Sequence, residues 1–481
     1  MTRAERTHDK RAVREHFDRL APDLDRWRRK SRAYHGELER FCRSVVPPGA
    51  TVLELGCGAG DLLAAVRPAR GVGIDISPGM IERAREKYPT LTWRVGDAES
   101  LDLDETFDYV IVSDLLGHLE DIWTTFHGLR RVVRSETRVV VTSCSYLWEP
   151  ALRLAEFIGQ RIPLRQQNWL TLDEIENLLE LCDFEVVKRG QRFLIPKNVP
   201  LVSRWVNSVV AKLPLVRRLC LIGYVVARPR PQTREAAGDD GLTCSVVIPC
   251  RNEAGNIAPA VARIPDLGAQ TEIVFVDGAS TDGTREAIEA QIDLHRGKKD
   301  IKLVLQPTAT GKGDAVRLGF DAASGDVLII LDADLTVEPE DLPKFYEAVV
   351  QRRGDLVNGS RLVYPMERQA MRFLNLLGNR AFSVLFTWIL EQRTTDTLCG
   401  TKALRRSDYL RIKANRAFFG DFDPFGDFDL LFGAAKLNLK IVELPVRYRP
   451  RVYGTTKISR FRHGVLLLRM SWIAIKKLKL G

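Results

Sequence analysis

The feature that most constrains this fold is an alternation of strand-like and helix-like segments that stops at one polar stretch and then begins again. The stretch is residues 229–241, which carry prolines and glycines and no apolar run. Alternation of this kind is typical of a parallel sheet with helices on both faces. Because 481 residues exceed what one hydrophobic core ordinarily covers, we expect two α/β domains.

The predicted organisation has a first domain in residues 1–228, a linker in residues 229–241, a second domain in residues 242–464 and a basic amphipathic helix in residues 465–481. Ligands of open α/β sheets bind at the carboxyl ends of the strands, so the expected strands locate the chemistry. These strands are Thr51–Leu55, Gly71–Ile76, Tyr109–Ser113 and Arg138–Ser143 in the first half, and Ser245–Pro249, Glu272–Asp277, Lys302–Gln306, Val327–Asp332 and Asp355–Asn358 in the second.

A glycine-rich turn follows the first of these strands. Leu55 is followed by Gly56-Cys57-Gly58-Ala59-Gly60, and glycine lets a backbone turn sharply and approach a ligand closely. The next strand ends near Asp75, whose carboxylate can accept hydrogen bonds from both ribose hydroxyls, and Asp97 follows a third strand. Dinucleotide binders have the spacing Gly-x-Gly-x-x-Gly instead, so an NAD-binding domain is the less favoured alternative.

With Glu54 before the glycines, these loops resemble those of class I S-adenosylmethionine-dependent methyltransferases over roughly residues 46–228. The resemblance implies a Rossmann-like sheet that binds S-adenosylmethionine. The cofactor-binding residues that it implies are Glu54, Gly56, Gly58, Asp75 and Asp97. His118 follows the fourth strand and is a candidate general base, with a purely structural histidine as the alternative. The motifs leave the methyl acceptor open.

In the second domain, polar residues follow the ends of the expected strands and begin the next helices. Asp277 is a candidate partner for the base or ribose of a nucleotide, and Lys312, in a loop with two glycines, offers a cation to a phosphate. A plain surface turn is the alternative for the lysine loop. The candidate donor-binding residues in this part of the domain are Pro249, Asn252, Glu253, Asp277, Asp282 and Lys312.

Asp332 and Asp334 come after the apolar run Val327–Leu331, with one residue between them. Two carboxylates so placed can converge on a hard cation such as Mg²⁺ or Mn²⁺. The ion would neutralise a departing nucleoside diphosphate. An Asp-x-Asp pair is common by chance, and its position after a buried strand and the preceding loops makes it specific.

This order of motifs resembles the family 2 glycosyltransferases, which have the GT-A nucleotide-diphospho-sugar transferase fold, over about residues 244–464. The match continues through Arg361 and the run Asp396–Lys402, and Asp429 stands where the family usually has Glu. The run Arg451–Lys457 resembles the close of the dolichyl-phosphate mannosyltransferases. The fold class that follows is α/β with two domains, a Rossmann-like methyltransferase sheet and then a GT-A fold.

The resemblance implies transfer of a sugar from a GDP- or UDP-linked donor to polyprenyl phosphate, with inversion at the anomeric carbon. Arg361, Arg451 and Lys457 would orient the donor diphosphate or the acceptor phosphate. If the acceptor is a hydroxyl, Asp396 or Asp429 becomes the candidate base. Either acid has a structural role as its alternative.

The net charge of +10 is concentrated near the C-terminus, because residues 447–481 contain ten Lys and Arg and no Asp or Glu. Phe461–Leu480 is apolar with basic flanks, which is typical of a helix in an anionic membrane interface. Met371–Leu390 is a second candidate, and packing of both on the core is the alternative. No recognition fold accompanies the basic tail, so nucleic-acid binding is not favoured.

No apolar run reaches the roughly 20 residues of a spanning helix, and the charged N-terminus is not a secretory signal. We therefore expect a cytoplasmic enzyme, peripheral at the inner face of the membrane or held by a separate membrane protein. The resulting hypothesis is a bifunctional glycosyltransferase and methyltransferase in one glycan or glycolipid pathway. The alternatives are a first domain that is an idle S-adenosylmethionine-binding scaffold, and a chain that is a non-catalytic membrane adaptor.

Overall fold

The computed structural model describes residues 10–162, 168–197, 202–213, 215–230, 241–307, 311–361, 373–418, 427–451, 453 and 460–480. The chain divides into two compact units, Met1–Arg230 and Pro231–Gly481. The division falls inside the stretch expected to be a linker, residues 229–241.

The first unit is built on a seven-stranded sheet in the order β3-β2-β1-β4-β5-β7-β6. Its strands are β1 (Thr51–Leu55), β2 (Arg70–Asp75), β3 (Thr92–Val95), β4 (Tyr109–Ser113), β5 (Arg138–Cys144), β6 (Phe184–Arg192) and β7 (Ile222–Pro229). The expected parallel pairing holds from β3 to β5. It is wrong for β7, which runs antiparallel to both β5 and β6 because the chain returns beside β6 instead of crossing over the sheet.

Helices cover both faces of this sheet. They are α1 (Lys10–Leu20), α2 (Leu24–Lys30), α3 (Arg32–Val45), α4 (Asp61–Ala65), α5 (Pro78–Lys87), α6 (Ile122–Gly128), α7 (Glu149–Phe157), α8 (Leu172–Leu181) and α9 (Val202–Ser208). Alternate side chains of a strand point to opposite faces. Accordingly Val110 and Val112 of β4 join one apolar cluster and Ile111 joins the other. Helix α8 begins with a capping box between Thr171 and Glu174, which satisfies backbone donors at its start.

The second unit also has a seven-stranded sheet, in the order β10-β9-β8-β11-β13-β12-β14. Its strands are β8 (Cys244–Cys250), β9 (Thr271–Asp277), β10 (Asp300–Leu305), β11 (Val327–Ile330), β12 (Leu356–Ser360), β13 (Lys402–Arg405) and β14 (Ile441–Pro445). Strand β13 is antiparallel to both neighbours, which corrects the expectation of a parallel sheet here too. The sequence did not predict β13, because it is short and begins with a lysine that the fold buries completely.

The carboxyl ends of β11 and β12 each differ from the prediction by two residues. Strand β11 ends at Ile330, so Asp332 and Asp334 lie in the turn that follows it. Strand β12 was expected to end at Asn358. It continues through Gly359 and Ser360 because both residues pair with β14. The helices are α10 (Ala254–Arg263), α11 (Thr284–Leu294), α12 (Lys312–Ala322), α13 (Leu342–Val350), α14 (Phe373–Leu390), α15 (Arg406–Ala414), α16 (Asp427–Lys436) and α17 (Arg460–Ala474), and a π-helical turn, Ile475–Leu480, follows α17.

Helices α14 and α17, the two candidates for membrane contact, bury one part of their surface and expose another. Phe386 and Ile389 of α14 and Met470 of α17 lie in the same buried apolar cluster. Leu468 and Trp472 are 59% and 61% exposed. The alternative of core packing is therefore right for one side of these helices. Across the described ranges, no helix combines the length and apolar character that crossing a bilayer requires.

Candidate active sites

A cavity of about 280 Å³ lies in the first unit at the carboxyl ends of β1, β2 and β4. All five cofactor-binding residues that the motifs implied line this cavity, and so does His118. They reach it from different segments because the turns that follow parallel strands meet at one edge of the sheet.

The glycine turn after β1 needs glycine at its alternate positions. Gly56, Gly58 and Gly60 have φ values of 69°, 53° and 79°, in the left-handed region. A Cβ on Gly56 would lie 2.8 Å from Leu115 Cδ1, whereas a Cβ on Gly58 would meet nothing within 4 Å. The backbone at Gly58 therefore borders open space in the cavity, where a ligand can approach it.

Three acids face the cavity in different states. Glu54 is buried, its Oε2 has no hydrogen-bond partner among the described residues, and burial raises its pKa well above the usual value. Asp75 accepts hydrogen bonds from the backbone amides of Gly58 (2.8 Å) and Ser77 (2.9 Å), and burial raises its pKa. Asp97 pairs with Lys10 at 2.6 Å. The turn is thus fastened by Asp75, while Glu54 keeps an oxygen for a ligand.

Helix α1 covers part of the cavity, which the sequence reasoning missed. Lys10, Val13 and Phe17 line it, and the Phe17 ring meets the His118 ring edge-on at 5.1 Å between centroids. Residues three and four apart share one face of a helix. The spacing of Lys10, Val13 and Phe17 is the signal in the sequence that could have identified this face of the helix.

Asp114 is a second residue of this cavity to which the motifs gave no role. Its backbone has φ of 53°, and Tyr34 Oη donates to its Oδ2 at 2.6 Å. Its Oδ1 is buried and has no partner in the described part of the chain. Burial raises the pKa of Asp114. The carboxylate therefore lines the cavity in a form that favours taking up a proton.

In the second unit, Asp332 and Asp334 each form a salt bridge with a basic side chain. Lys312 Nζ lies 2.7 Å from Asp332 Oδ1, and Arg451 lies 2.6 Å from Asp334 Oδ2 and 3.2 Å from Glu253 Oε1. Burial acts to raise the pKa of Asp332, but Lys312, Lys402 and Arg361 lower it below its usual value. The structure thus gathers Glu253, Lys312, Asp332, Asp334 and Arg451 at one place and keeps Asp332 ionised.

Gly400 is a further residue of this site, and the motifs did not single it out. A Cβ at Gly400 would lie 2.2 Å from Asp332 Oδ2 and 2.5 Å from Lys312 Nζ. The run Asp396–Lys402, expected near the acceptor, therefore passes directly beside Asp332. A side chain at position 400 would have to displace the Asp332 carboxylate and the Lys312 ammonium.

The candidate bases Asp396 and Asp429 are both held in ion pairs. Asp396 is fully buried, and the Arg361 side chain donates to both of its oxygens at 2.7 and 2.9 Å. The backbone amides of Arg361 and Leu398 add two more hydrogen bonds, at 3.0 and 3.1 Å. Asp429 pairs with Arg416 at 2.9 Å. Lys457, the last residue of the predicted phosphate-binding set, lies outside the described residues.

The remaining predicted donor residues form a hydrogen-bonded loop after β8 and β9. Asp277 accepts hydrogen bonds from the hydroxyl and backbone amide of Ser280, and Asn252 Oδ1 accepts from the amide of Thr281 at 2.8 Å. Asp282 accepts from the amides of residues 254 and 284 and so joins the starts of α10 and α11. Pro249 lies inside β8. These polar groups fix the shape of the loop from which a nucleotide would be bound.

Comparison with known proteins assigns both units. A model of glycosyl transferase family 2 matches residues 245–412, and a methyltransferase domain model matches residues 52–136. The chain is 32% identical over 230 residues to an undecaprenyl-phosphate mannosyltransferase of Micrococcus luteus, covering 44% of this chain and 86% of that protein. It is 38% identical over 223 residues to a dolichol-phosphate mannosyltransferase of Pyrococcus furiosus, covering 45% and 60%.

Among solved structures, magnesium protoporphyrin IX methyltransferase of Synechocystis, with bound SAH, is 20% identical. The match has a TM-score of 0.34 and covers 46% of this chain and all of that one.

The two folds and the family models define a transferase with a methyltransferase domain followed by a glycosyltransferase domain. The chain belongs to glycosyl transferase family 2, since its second half matches the family model and covers most of a relative above 30% identity. The two resemblances inferred from the motifs are confirmed.

Proposed function

We propose that the second unit transfers a sugar from a nucleotide-sugar to a polyprenyl phosphate with the help of Mg²⁺ or Mn²⁺. The observation that carries this proposal is a pair of salt bridges after the buried strand β11. Lys312 pairs with Asp332, and Arg451 pairs with Asp334. Two carboxylates beside two cations suit a diphosphate and the metal ion that accompanies it.

The pair Asp332 and Asp334 fits such an ion by its chemistry. Both offer hard oxygen ligands, and the lowered pKa of Asp332 keeps that carboxylate charged. Mg²⁺ in transferase sites takes one or two carboxylates and completes its shell with water and phosphate oxygens. Within the described residues, no cluster of three or more acidic, histidine or cysteine side chains offers a fuller shell. When bound, the ion would neutralise charge on the leaving nucleoside diphosphate.

The state of the candidate bases favours a phosphate over a hydroxyl as acceptor. The oxygens of Asp396 are engaged by Arg361, and Asp429 is paired with Arg416. A hydroxyl acceptor needs a general base, but a phosphate acceptor is already anionic near neutral pH. The relatives named above are likewise mannosyltransferases of undecaprenyl phosphate and dolichol phosphate.

A lipid acceptor also accounts for the exposed side of helices α14 and α17. Val384, Leu468 and Trp472 are apolar and exposed, and Lys476 and Lys477 are exposed beside the end of α17. Apolar side chains flanked by lysines are typical of helices in an anionic membrane interface. The second unit would then work as a peripheral enzyme on a membrane surface.

For the first unit we propose transfer of a methyl group at the cavity around Glu54. The open backbone at Gly58 and the unpartnered Oε2 of Glu54 fit the binding of S-adenosylmethionine. The cofactor supplies an electrophilic methyl group, so the protein contributes mainly by orienting the acceptor. Asp114 and His118 both line the cavity, and Asp114 is the stronger candidate to accept a proton because its Oδ1 is buried without a described partner.

The proposal is tested with a panel of GDP- and UDP-sugars, with and without polyprenyl phosphate, in the presence of Mn²⁺. We expect sugar transfer only with the lipid phosphate, and its loss in Asp332→Asn with Asp334→Asn. Transfer that persists in the double variant would refute the metal site.

The glycosylated product is then incubated with labelled S-adenosylmethionine. Incorporation of label places both activities in one pathway. Cofactor binding without turnover on any product would instead make the first unit a scaffold.

A further inference from the structure

The connection between β6 and β7, residues 193–221, exposes an unusual number of large apolar side chains on the first unit. A monomeric soluble protein rarely keeps such a contiguous group in water without a function for it. Leu215 is 82% exposed, and Trp205 is 61% exposed. The exposed members, from 40% to 82%, are Val202, Trp205, Val209, Leu213, Leu215 and Leu219.

This surface is continuous with a second exposed segment around α7. Trp148 Nε1 donates to the carbonyl of Leu219 at 2.8 Å, and the amide of Ser145 donates to the carbonyl of Leu221 at 2.7 Å. The second segment exposes Tyr146, Leu147, Leu154, Phe157 and Ile158, of which Phe157 is 89% exposed. We call the exposed apolar residues of both segments the apolar face.

The net charge of the two segments that carry the apolar face is positive. Residues 193–221 contain five Lys and Arg and no Asp or Glu, in a protein with 62 acidic residues. The acids of the α7 segment are neutralised locally, because Glu149 pairs with Arg153 and Glu156 pairs with Arg161. Apolar side chains among basic ones complement the headgroups and acyl chains of an anionic bilayer.

The apolar face also adjoins the cofactor cavity. Cys144, at the carboxyl end of β5, pairs with Ile222, directly after the basic connection. Tyr34 Oη lies 3.3 Å from Cys144 Sγ and 2.6 Å from Oδ2 of Asp114, which lines the cavity. On the other segment, Ile162 lines the cavity four residues after Ile158. One half of the face is therefore linked to the cavity through Cys144, Tyr34 and Asp114, and the other through the short segment that ends at Ile162.

We propose that the apolar face docks the first unit on an anionic lipid bilayer and so brings the rim of the methyltransferase cavity to the lipid surface. This membrane contact is separate from that of helices α14 and α17. It holds whether or not the methyl acceptor is a lipid.

A local probe on the full chain distinguishes this contact from the one made by the second unit. An environment-sensitive fluorophore is attached to Leu215→Cys, and the matched control is Leu181→Cys. Leu181 is 64% exposed on the same unit but lies between the acids Glu180 and Asp183. Every native cysteine is buried or half-buried, so wild type gives the labelling blank.

We expect the emission at position 215 to shift to the blue with vesicles that contain phosphatidylglycerol, and to stay unchanged with phosphatidylcholine alone. The emission at position 181 should not respond to either. Unchanged emission at 215 while the chain floats with the vesicles would overturn the proposal. A blue emission at 215 that is already present without lipid would also overturn it, since another protein surface would then cover the face.

Charge gives a second test on the same labelled chain. Each Lys or Arg near an anionic surface contributes about 1 kcal/mol, which corresponds to roughly a fivefold change in affinity. Arg218→Gln should therefore raise the lipid concentration at half of the position-215 shift about fivefold. An unchanged half-point would contradict docking by the basic connection.

Discussion

Replacing Gly400 by alanine tests the geometry of the glycosyltransferase site with a single methyl group. The new Cβ would lie 2.2 Å from Asp332 Oδ2 and 2.5 Å from Lys312 Nζ. Non-bonded carbon atoms sit at about 3.5 to 4 Å, so the carboxylate must move by about 1 Å or more. A misplacement of about 1 Å can cost on the order of a hundredfold in rate, close to 3 kcal/mol of transition-state stabilisation.

The same substitution should cost little stability. Gly400 has no left-handed backbone angle, and the atoms it displaces belong to the side chains of Asp332 and Lys312 rather than to the backbone. We therefore expect the rate of sugar transfer to fall about a hundredfold while the thermal unfolding midpoint changes little.

The assay is steady-state transfer to polyprenyl phosphate, measured beside thermal unfolding. Gly241→Ala is the matched control, because a Cβ at Gly241 meets nothing within 4 Å. Transfer by Gly400→Ala within threefold of wild type, with Gly241→Ala unchanged, would refute the placement of Asp332 in the active site.

Three further predictions concern buried acids. Asp396→Ala leaves Arg361 buried without its bidentate partner, so urea unfolding should show a loss of about 3 to 5 kcal/mol; a loss below 1 kcal/mol would contradict this. Burial raises the pKa of Glu54, so folding takes up a proton and this group's contribution to stability falls as pH rises above about 4.3. The unfolding midpoint of Glu54→Gln should therefore exceed that of wild type by more as the pH rises. Asp114→Asn should lower methyl transfer while leaving S-adenosylmethionine affinity, measured by calorimetry, unchanged; equal losses of both would make Asp114 a cofactor residue.

Much of the fold could be predicted because apolar runs and glycine turns are local signals. Thr51–Leu55 and Tyr109–Ser113 were predicted to the residue. The antiparallel direction of β7 was not predicted, because strand direction depends on the path of the chain between strands. Strand β13 was not predicted at all. Lys402 also interrupts the apolar pattern of β13 and is buried only through contacts made in the folded state.

In the candidate sites too, the sequence predicted what depends on local motifs and missed what depends on contacts in the folded chain. Motif spacing identified Glu54, Gly56, Gly58, Asp75 and Asp97 among the residues that line the cofactor cavity, since each motif lies at a strand end. Spacing gave no role to Gly400 or Asp114, whose importance comes from what lies opposite them in space. It also did not show that Asp396 is held by Arg361, because the two are 35 residues apart.

Binding of Mn²⁺ in the presence of a nucleoside diphosphate, followed by electron paramagnetic resonance, probes the proposed metal site at Asp332 and Asp334 itself. We expect wild type to bind the ion, and Asp332→Asn with Asp334→Asn to abolish binding while the thermal unfolding midpoint shows that the chain is still folded. Undiminished Mn²⁺ binding by the folded double variant would contradict the claim that these two carboxylates hold the metal of a sugar-transfer site.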